Sequence, residues 1–168
     1  KSTPKTAPKT TFDPVQVKQS FPDLENEILE FWKKDDIFKL VQEKRTGSKP
    51  FIFYEGPPTA NGKPGVHHVI ARVFKDVILR YKTMQGFYIE RKAGWDTHGL
   101  PVELQVEKEL GISGKKQIEE YGIEAFNNKC KDSVHKFTQA FEVMTERIGY
   151  WVDMKHPYVT YSPDYIES

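Results

Sequence analysis

Phe51-Ile52-Phe53-Tyr54-Glu55-Gly56-Pro57-Pro58-Thr59-Ala60-Asn61-Gly62-Lys63-Pro64-Gly65-Val66-His67-His68 is the stretch that decides the fold. Its first four residues are aromatic or β-branched and have the composition of a strand, while the glycines and prolines from Gly56 to Gly65 mark a loop. From Val66 the apolar residues Val66, Val69, Ile70, Val73, Val77, Tyr81 and Met84 keep a helical period, and Gly86 suits the end of that helix. Arg72, Lys75, Asp76 and Arg80 fall on the opposite side, so the apolar side is expected to pack on a sheet. Phe87-Tyr88-Ile89 then reads as a second strand. Strand, loop, helix and strand in this order predict a parallel pair joined by a right-handed crossover, the unit of a Rossmann-like α/β sheet. The loop lies at the carboxyl edge of such a sheet, where the free N–H groups and positive dipole end of the helix favour phosphate.

Upstream, Leu24, Ile28, Leu29, Phe31 and Trp32 follow Pro22 and Asp23 at helical spacing, which predicts a helix over 22–34. A shorter helix is expected over 37–44 before Gly47-Ser48-Lys49-Pro50 breaks the chain. Downstream, helices are expected over 100–110 and 123–148. In the second of these Cys130, Val134, Phe137, Phe141, Met144 and Ile148 form a core-facing stripe. Residues 1–12 have too little to bury and read as a disordered tail, residues 13–47 as a helical N-terminal extension, and residues 48–168 as half of a Rossmann-like domain. The chain starts without methionine and ends on what looks like the first turn of a helix, so it reads as a fragment.

The bulk numbers narrow the class. With 168 residues, 38% of them hydrophobic, the chain has enough to bury one core. Its 25 basic and 24 acidic residues balance, which argues against a broad polynucleotide-binding surface. One cysteine, Cys130, excludes an intrachain disulfide and fits a reducing compartment; its bland role is core packing. No apolar run reaches the ~18 residues of a membrane span, and the start of the chain lacks the apolar stretch of a signal peptide. The expected location is the cytoplasm.

Two segments carry candidate chemistry. In the first, Gly56 and Gly62 permit close approach of a ligand to the backbone, and His67 and His68 put imidazole donors in the first helical turn. In the second, Gly94-Trp95-Asp96-Thr97-His98-Gly99 leaves the next strand at the same edge of the sheet, so both loops are expected to face one cleft. Asp96 there can pair with a ligand ammonium or cap the helix near Leu100, and Trp95 can wall a pocket or fill the core. A metal centre is not expected. The candidate ligands His67, His68, His98, His135, His156 and Cys130 lack metal spacing, and adjacent helical histidines diverge by about 100°. Nor is there a Walker-type loop, because no Gly-Lys-Ser/Thr follows the glycines.

Together these residues resemble the class I aminoacyl-tRNA synthetases, most closely the isoleucyl enzymes. The resemblance covers roughly residues 13–168. It rests on Tyr54 to Gly62, on Arg80-Tyr81-Lys82-Thr83-Met84-Gln85-Gly86, on Gly94 to Glu103 and on Arg147-Ile148-Gly149-Tyr150-Trp151-Val152-Asp153. Where this chain has Asp96-Thr97-His98-Gly99, valyl enzymes typically carry Asp-His-Ala-Gly and leucyl enzymes Asp-Ala-Phe-Gly. The resemblance implies activation of isoleucine by ATP and Mg²⁺ to isoleucyl-adenylate, then transfer to the 3′ end of a tRNA. It implies that Gly56, Pro57, Trp95 and Asp96 hold the amino acid, with Asp96 on the ammonium group. Asn61, Gly62, Gly65, His67 and His68 are implied on the ATP side, the two histidines as the catalytic pair.

The His-x-Gly-His signature of the family stands here as Gly65-Val66-His67-His68, similar to the Gly-x-His-His variant of one isoleucyl subtype. The chain lacks the second signature, a Lys-Met-Ser-Lys-Ser loop, and ends where an editing insertion is expected. Isoleucyl enzymes are known to separate isoleucine from valine only about 150-fold by binding, because one methylene is worth so little, so editing is implied elsewhere in the parent protein. Activity of the segment alone is left open; the alternative is a non-catalytic fragment that binds ATP, amino acid or a partner. Continuation of the reading frame beyond Ser168 discriminates the two.

Overall fold

The face that the long central helix turns inward is its charged one. The computed structural model describes Lys18 and residues 20–168, so the tail expected over 1–12 and the start of the extension lie outside the described residues. The elements run α1 (Phe21–Lys34), α2 (Ile37–Arg45), α3 (Val66–Met84), β1 (Lys92–Trp95), α4 (Leu100–Leu110), α5 (Gly114–Tyr121), α6 (Ile123–Arg147), β2 (Asp153–Val159) and α7 (Pro163–Ile166). On α3 the buried residues are Arg72, Leu79 and Thr83. Lys75 pairs with the Glu55 carboxylate, and Asp76 bridges Arg80 at 2.5 Å and Arg91 at 3.2 Å. Arg80 also donates to the Gly149 carbonyl at 2.5 Å and stacks on Trp151 with 3.8 Å to the ring centroid.

The expected packing of the apolar face on the sheet is therefore corrected. Val66, Ile70, Val73, Phe74, Val77, Ile78, Tyr81 and Met84 are all exposed, Phe74 to 70%. Arg72, Asp76, Leu79 and Thr83 repeat with the same period as the apolar residues, and inside Asp76 finds Arg80 and Arg91 while Thr83 accepts from Arg91. A patch of eight large apolar side chains on one helix exceeds what a soluble monomer ordinarily presents. The isolated 168-residue chain is accordingly expected to self-associate at micromolar concentration, and Phe74→Glu with Val77→Glu to shift it toward monomer in sedimentation velocity. A wild-type chain that sediments as a monomer would show that this face is not sticky.

α3 ends in a Schellman motif. Gly86, at φ +97°, donates to Thr83 O, and Phe87 donates to Lys82 O. The chain then turns back alongside residues 49–60, but the regular strands expected over 51–54 and 87–89 are not there. In their place stand two isolated parallel bridges, Pro50↔Tyr88 and Thr59↔Asp96. Pro50, Pro57 and Pro58 have no N–H to give a ladder, which accounts for the gaps. The continuous pairing is β1 with β2, also parallel, with a bulge where Lys92 opposes Asp153 while Gly94 opposes Tyr158. Pro157 lies in that bulge. The architecture is mixed α/β with a two-stranded parallel sheet, a third segment bridged to its edge, and flanking helices.

The core has two parts. Ala60, Val102, Val134 and Phe137 cluster where α4 packs on α6, with Cys130 and Tyr161 against them. Ala93, Tyr150 and Val152 cluster under the sheet. Burial, and then Glu103, push the Cys130 thiol up, which suits a packing residue rather than a nucleophile. α1 and α2 dock through Trp32 and Phe38 on Trp151, and through Gln42, which donates to Ile89 O at 2.9 Å.

Candidate active site

Parallel pairing brings both candidate loops to the carboxyl edge of the strands and stitches them together. Asp96 N–H donates to Pro58 O at 3.1 Å, and Ala60 N–H to Asp96 O at 2.9 Å. The Thr59 hydroxyl donates to Asp96 Oδ2 at 2.8 Å, while Oδ1 has no partner among the described residues. Asp96 does not cap α4, whose N-cap is Gly99. Thr97 N–H donates to Thr160 Oγ1 at 3.0 Å, and Thr160 N–H to Trp95 O at 3.1 Å, so the end of β2 braces the same loop. His98 Nδ1 meets Thr160 Oγ1 at 2.6 Å.

His67 and His68 are not splayed as their positions on a helix suggest. Their ring centroids lie 3.9 Å apart. Gly65 leaves room for this: a Cβ there would stand 2.9 Å from His67 Cε1, so a side chain at this position would push the His67 ring from its place beside its neighbour. His68 is half-buried, edge-on to Phe141 at 4.8 Å, and its Nδ1 accepts the Gly65 N–H at 2.9 Å. That bond fixes the neutral tautomer with the proton on Nε2, a donor. Burial first, then His67 and then Arg72, hold its pKa below the ordinary 6.5. A depressed imidazole value means that the unfolded chain binds the proton more readily. This contribution to stability is present above pH 6.5 and fades as pH falls through the folded value. The N–H groups of Val66 and His67 have no partner among the described residues, so the start of α3 offers backbone donors beside two imidazoles.

Of the other predicted residues, Gly56 and Asn61 are exposed, while Pro57, Gly62 and Gly65 are half-buried. Trp95 is 5% exposed, edge-on to Phe141 at 6.2 Å, and with Pro58 and Arg72 it lines a cavity of about 10 Å³. In this state it fills core and walls only a small void. Sequence reasoning missed Thr59, Thr160, Phe141 and Glu55. An acidic residue directly after a strand-like run was the available signal for Glu55, the helical stripe marked Phe141 only as core, and Thr59 lies in the loop itself, while nothing local marks Thr160. Among the described residues no group of three or more His, Cys, Asp or Glu side chains could hold a metal ion.

With this geometry in place the comparisons are specific. Residues 27–168 match the family described as tRNA synthetases class I (I, L, M and V), and the chain belongs to that family. Within it, the chain is 56% identical over 163 residues to the isoleucine–tRNA ligase of Streptomyces coelicolor, covering 97% of this chain and 15% of that protein. It is 56% identical over 157 residues to the isoleucine–tRNA ligase of Dehalococcoides mccartyi, covering 94% and 16%. The chain thus spans about 15% of the length of the curated relatives it matches. Its fold is similar to that of a LeuRS of Agrobacterium radiobacter K84 agnB2, solved as a ternary complex with tRNA and LeuAMS. That match has a TM-score of 0.58 at 19% identity, over 84% of this chain and 16% of that one. No helix among the described residues is long and apolar enough to cross a membrane.

Proposed function

We propose that this chain is the first half of the catalytic domain of a cytoplasmic isoleucine–tRNA ligase, entered through the helical extension that ends near residue 47. The observation that carries the reading is the stitching of the Pro58–Ala60 and Asp96 loops, with Trp95 before Asp96 and His68 at the start of α3 both edge-on to Phe141. The free Oδ1 of Asp96 takes the isoleucine ammonium, while Gly56, Pro57 and Trp95 border the side chain. Asn61, Gly62, Gly65 and the histidines face ATP. An isoleucine carboxylate oxygen attacks the α-phosphorus in line, the bond to the β-phosphate bridging oxygen breaks, and pyrophosphate leaves. His68 Nε2–H, His67 and the first N–H groups of α3 donate to phosphate oxygens as their charge grows. Mg²⁺ would be held by the ATP phosphates and would supply charge neutralisation there. Transfer to tRNA draws mainly on regions beyond this segment.

The test is isoleucine-dependent pyrophosphate exchange into ATP by the full-length protein, with valine as the rival. Exchange that prefers isoleucine is expected. His68→Ala is expected to lower the exchange rate by about a hundredfold or more, in the range set by loss of one preorganised donor, with isoleucine affinity nearly unchanged. Equal losses in isoleucine affinity and rate would remove His68 from the ATP side.

A further inference from the structure

The stretch that carries Gly56 and Pro57 has almost nothing holding its backbone. Between the Phe51 N–H, which pairs with Tyr88 O, and the Pro58 carbonyl, which pairs with Asp96, no backbone–backbone hydrogen bond is made among the described residues. Every polar tether on residues 52–57 instead converges on Glu55. Its carboxylate is gripped on one oxygen by the Lys75 ammonium from α3 and on the other by the Tyr150 hydroxyl that follows α6. Its carbonyl accepts the Tyr158 hydroxyl from β2 at 2.6 Å. Glu55 is 8% exposed, so the tether is a buried one.

We infer that Glu55, held by Lys75 and Tyr150, is the positioning residue that sets how deeply the Gly56-Pro57-Pro58 loop sits over Trp95, and so sets affinity for the amino acid. The inference rests on the proposal that this loop binds isoleucine. The space beneath the loop supports it: the cavity between Glu55, Pro58, Arg72 and Trp95 measures about 10 Å³, room for roughly one water. The Pro58 end of the loop is held by Asp96, so a loop released from Glu55 loses the tether at its Gly56 end, the end that sets the spacing on that side. Arg72 reinforces the clamp. The residue is 6% exposed, and its guanidinium lies over the rings of Phe141 and Tyr150 and leaves Nε and Nη1 without partners among the described residues. It therefore presents uncompensated positive charge close to the Glu55 carboxylate. Two buried or half-buried cations facing one carboxylate hold it stationary, and burial, then the Glu55 carboxylate, push the Tyr150 hydroxyl up so that it stays a donor.

The experiment compares full-length wild type, Tyr150→Phe, Lys75→Met and the double variant in the exchange assay, with KM for isoleucine and for ATP measured separately. Tyr150→Phe is expected to raise KM for isoleucine about tenfold, the loss of one hydrogen bond to a charged group, with kcat and KM for ATP nearly unchanged. Lys75→Met is expected to act in the same direction, and the double variant to change less than the product of the two, because both act through one carboxylate. Lys75 is partly exposed and its replacement keeps the stem, so it carries the test if Tyr150→Phe does not fold. A merely structural role moves the thermal midpoint and kcat together and leaves KM for isoleucine where it was; that outcome overturns the inference. A wild-type protein with no isoleucine-dependent exchange overturns the functional reading, and this inference with it.

Discussion

Gly94→Ala is expected to destabilise the domain by about 3 kcal/mol or more, the upper end of what overpacking costs. A Cβ built on Gly94 falls inside the ring of Tyr158, its own partner across the β1–β2 pairing. The ring cannot swing aside freely. Its hydroxyl is spent on Glu55 O, and its other neighbour is Tyr165, stacked 10° from parallel at 5.9 Å. Moving the ring loses the stack and the hydrogen bond together, and it loosens the pairing that braces Thr97 and Trp95 through Thr160. Since a domain is stable by only about 5–15 kcal/mol, the variant is expected to show a lower urea midpoint by tryptophan fluorescence and faster proteolysis within β2. Tyr158→Phe, which keeps the ring and loses only the hydroxyl, is expected to cost about 1 kcal/mol. A Gly94→Ala midpoint within about 0.5 kcal/mol of wild type would mean that the ring has somewhere to go.

The helices were legible because their signals are local. α3 runs over the 66–84 read from its period, and its Gly86 terminus makes the expected motif. What was not legible depends on partners far along the chain. The apolar and charged stripes of α3 share one period, so periodicity alone leaves open which of them is inside. Glu55, Arg91 and the Gly149 carbonyl decide it, and none of them belongs to the helix. β2, Asp-Met-Lys-His-Pro-Tyr-Val, neither alternates nor avoids proline, and it forms because β1 offers it an edge. α5 has only Ile118 and Tyr121 as apolar residues among eight, too few to show a period. At the candidate site, the meeting of the two loops followed from the parallel βαβ order. The closeness of His67 and His68 did not, because it depends on the space that Gly65 leaves above the backbone.

Asp96→Ala is expected to cut isoleucine-dependent exchange by the full-length protein by at least about a hundredfold, through KM for isoleucine. Breaking one side of a buried ion pair costs roughly 3–5 kcal/mol, since the ammonium is then desolvated with no counter-charge. The structure sharpens this expectation, because Asp96 is already half-buried and oriented before any ligand arrives. Thr59 occupies Oδ2, and the backbone bonds to Pro58 and Ala60 fix the chain on both sides, which leaves Oδ1 as the one acceptor ready for an ammonium. Asp96→Asn separates charge from shape: it can still accept the Thr59 hydroxyl and fill the same volume, yet it supplies no charge. It is expected to lose nearly as much as Asp96→Ala. Thr59→Val keeps the charge and frees the carboxylate to rotate, so it is expected to lose about tenfold, the worth of one charge-assisted hydrogen bond. The order alanine, asparagine, valine from greatest to least loss assigns Asp96 an electrostatic role on the amino acid. An Asp96→Asn protein as active as wild type would reduce the carboxylate to a tether between the two loops.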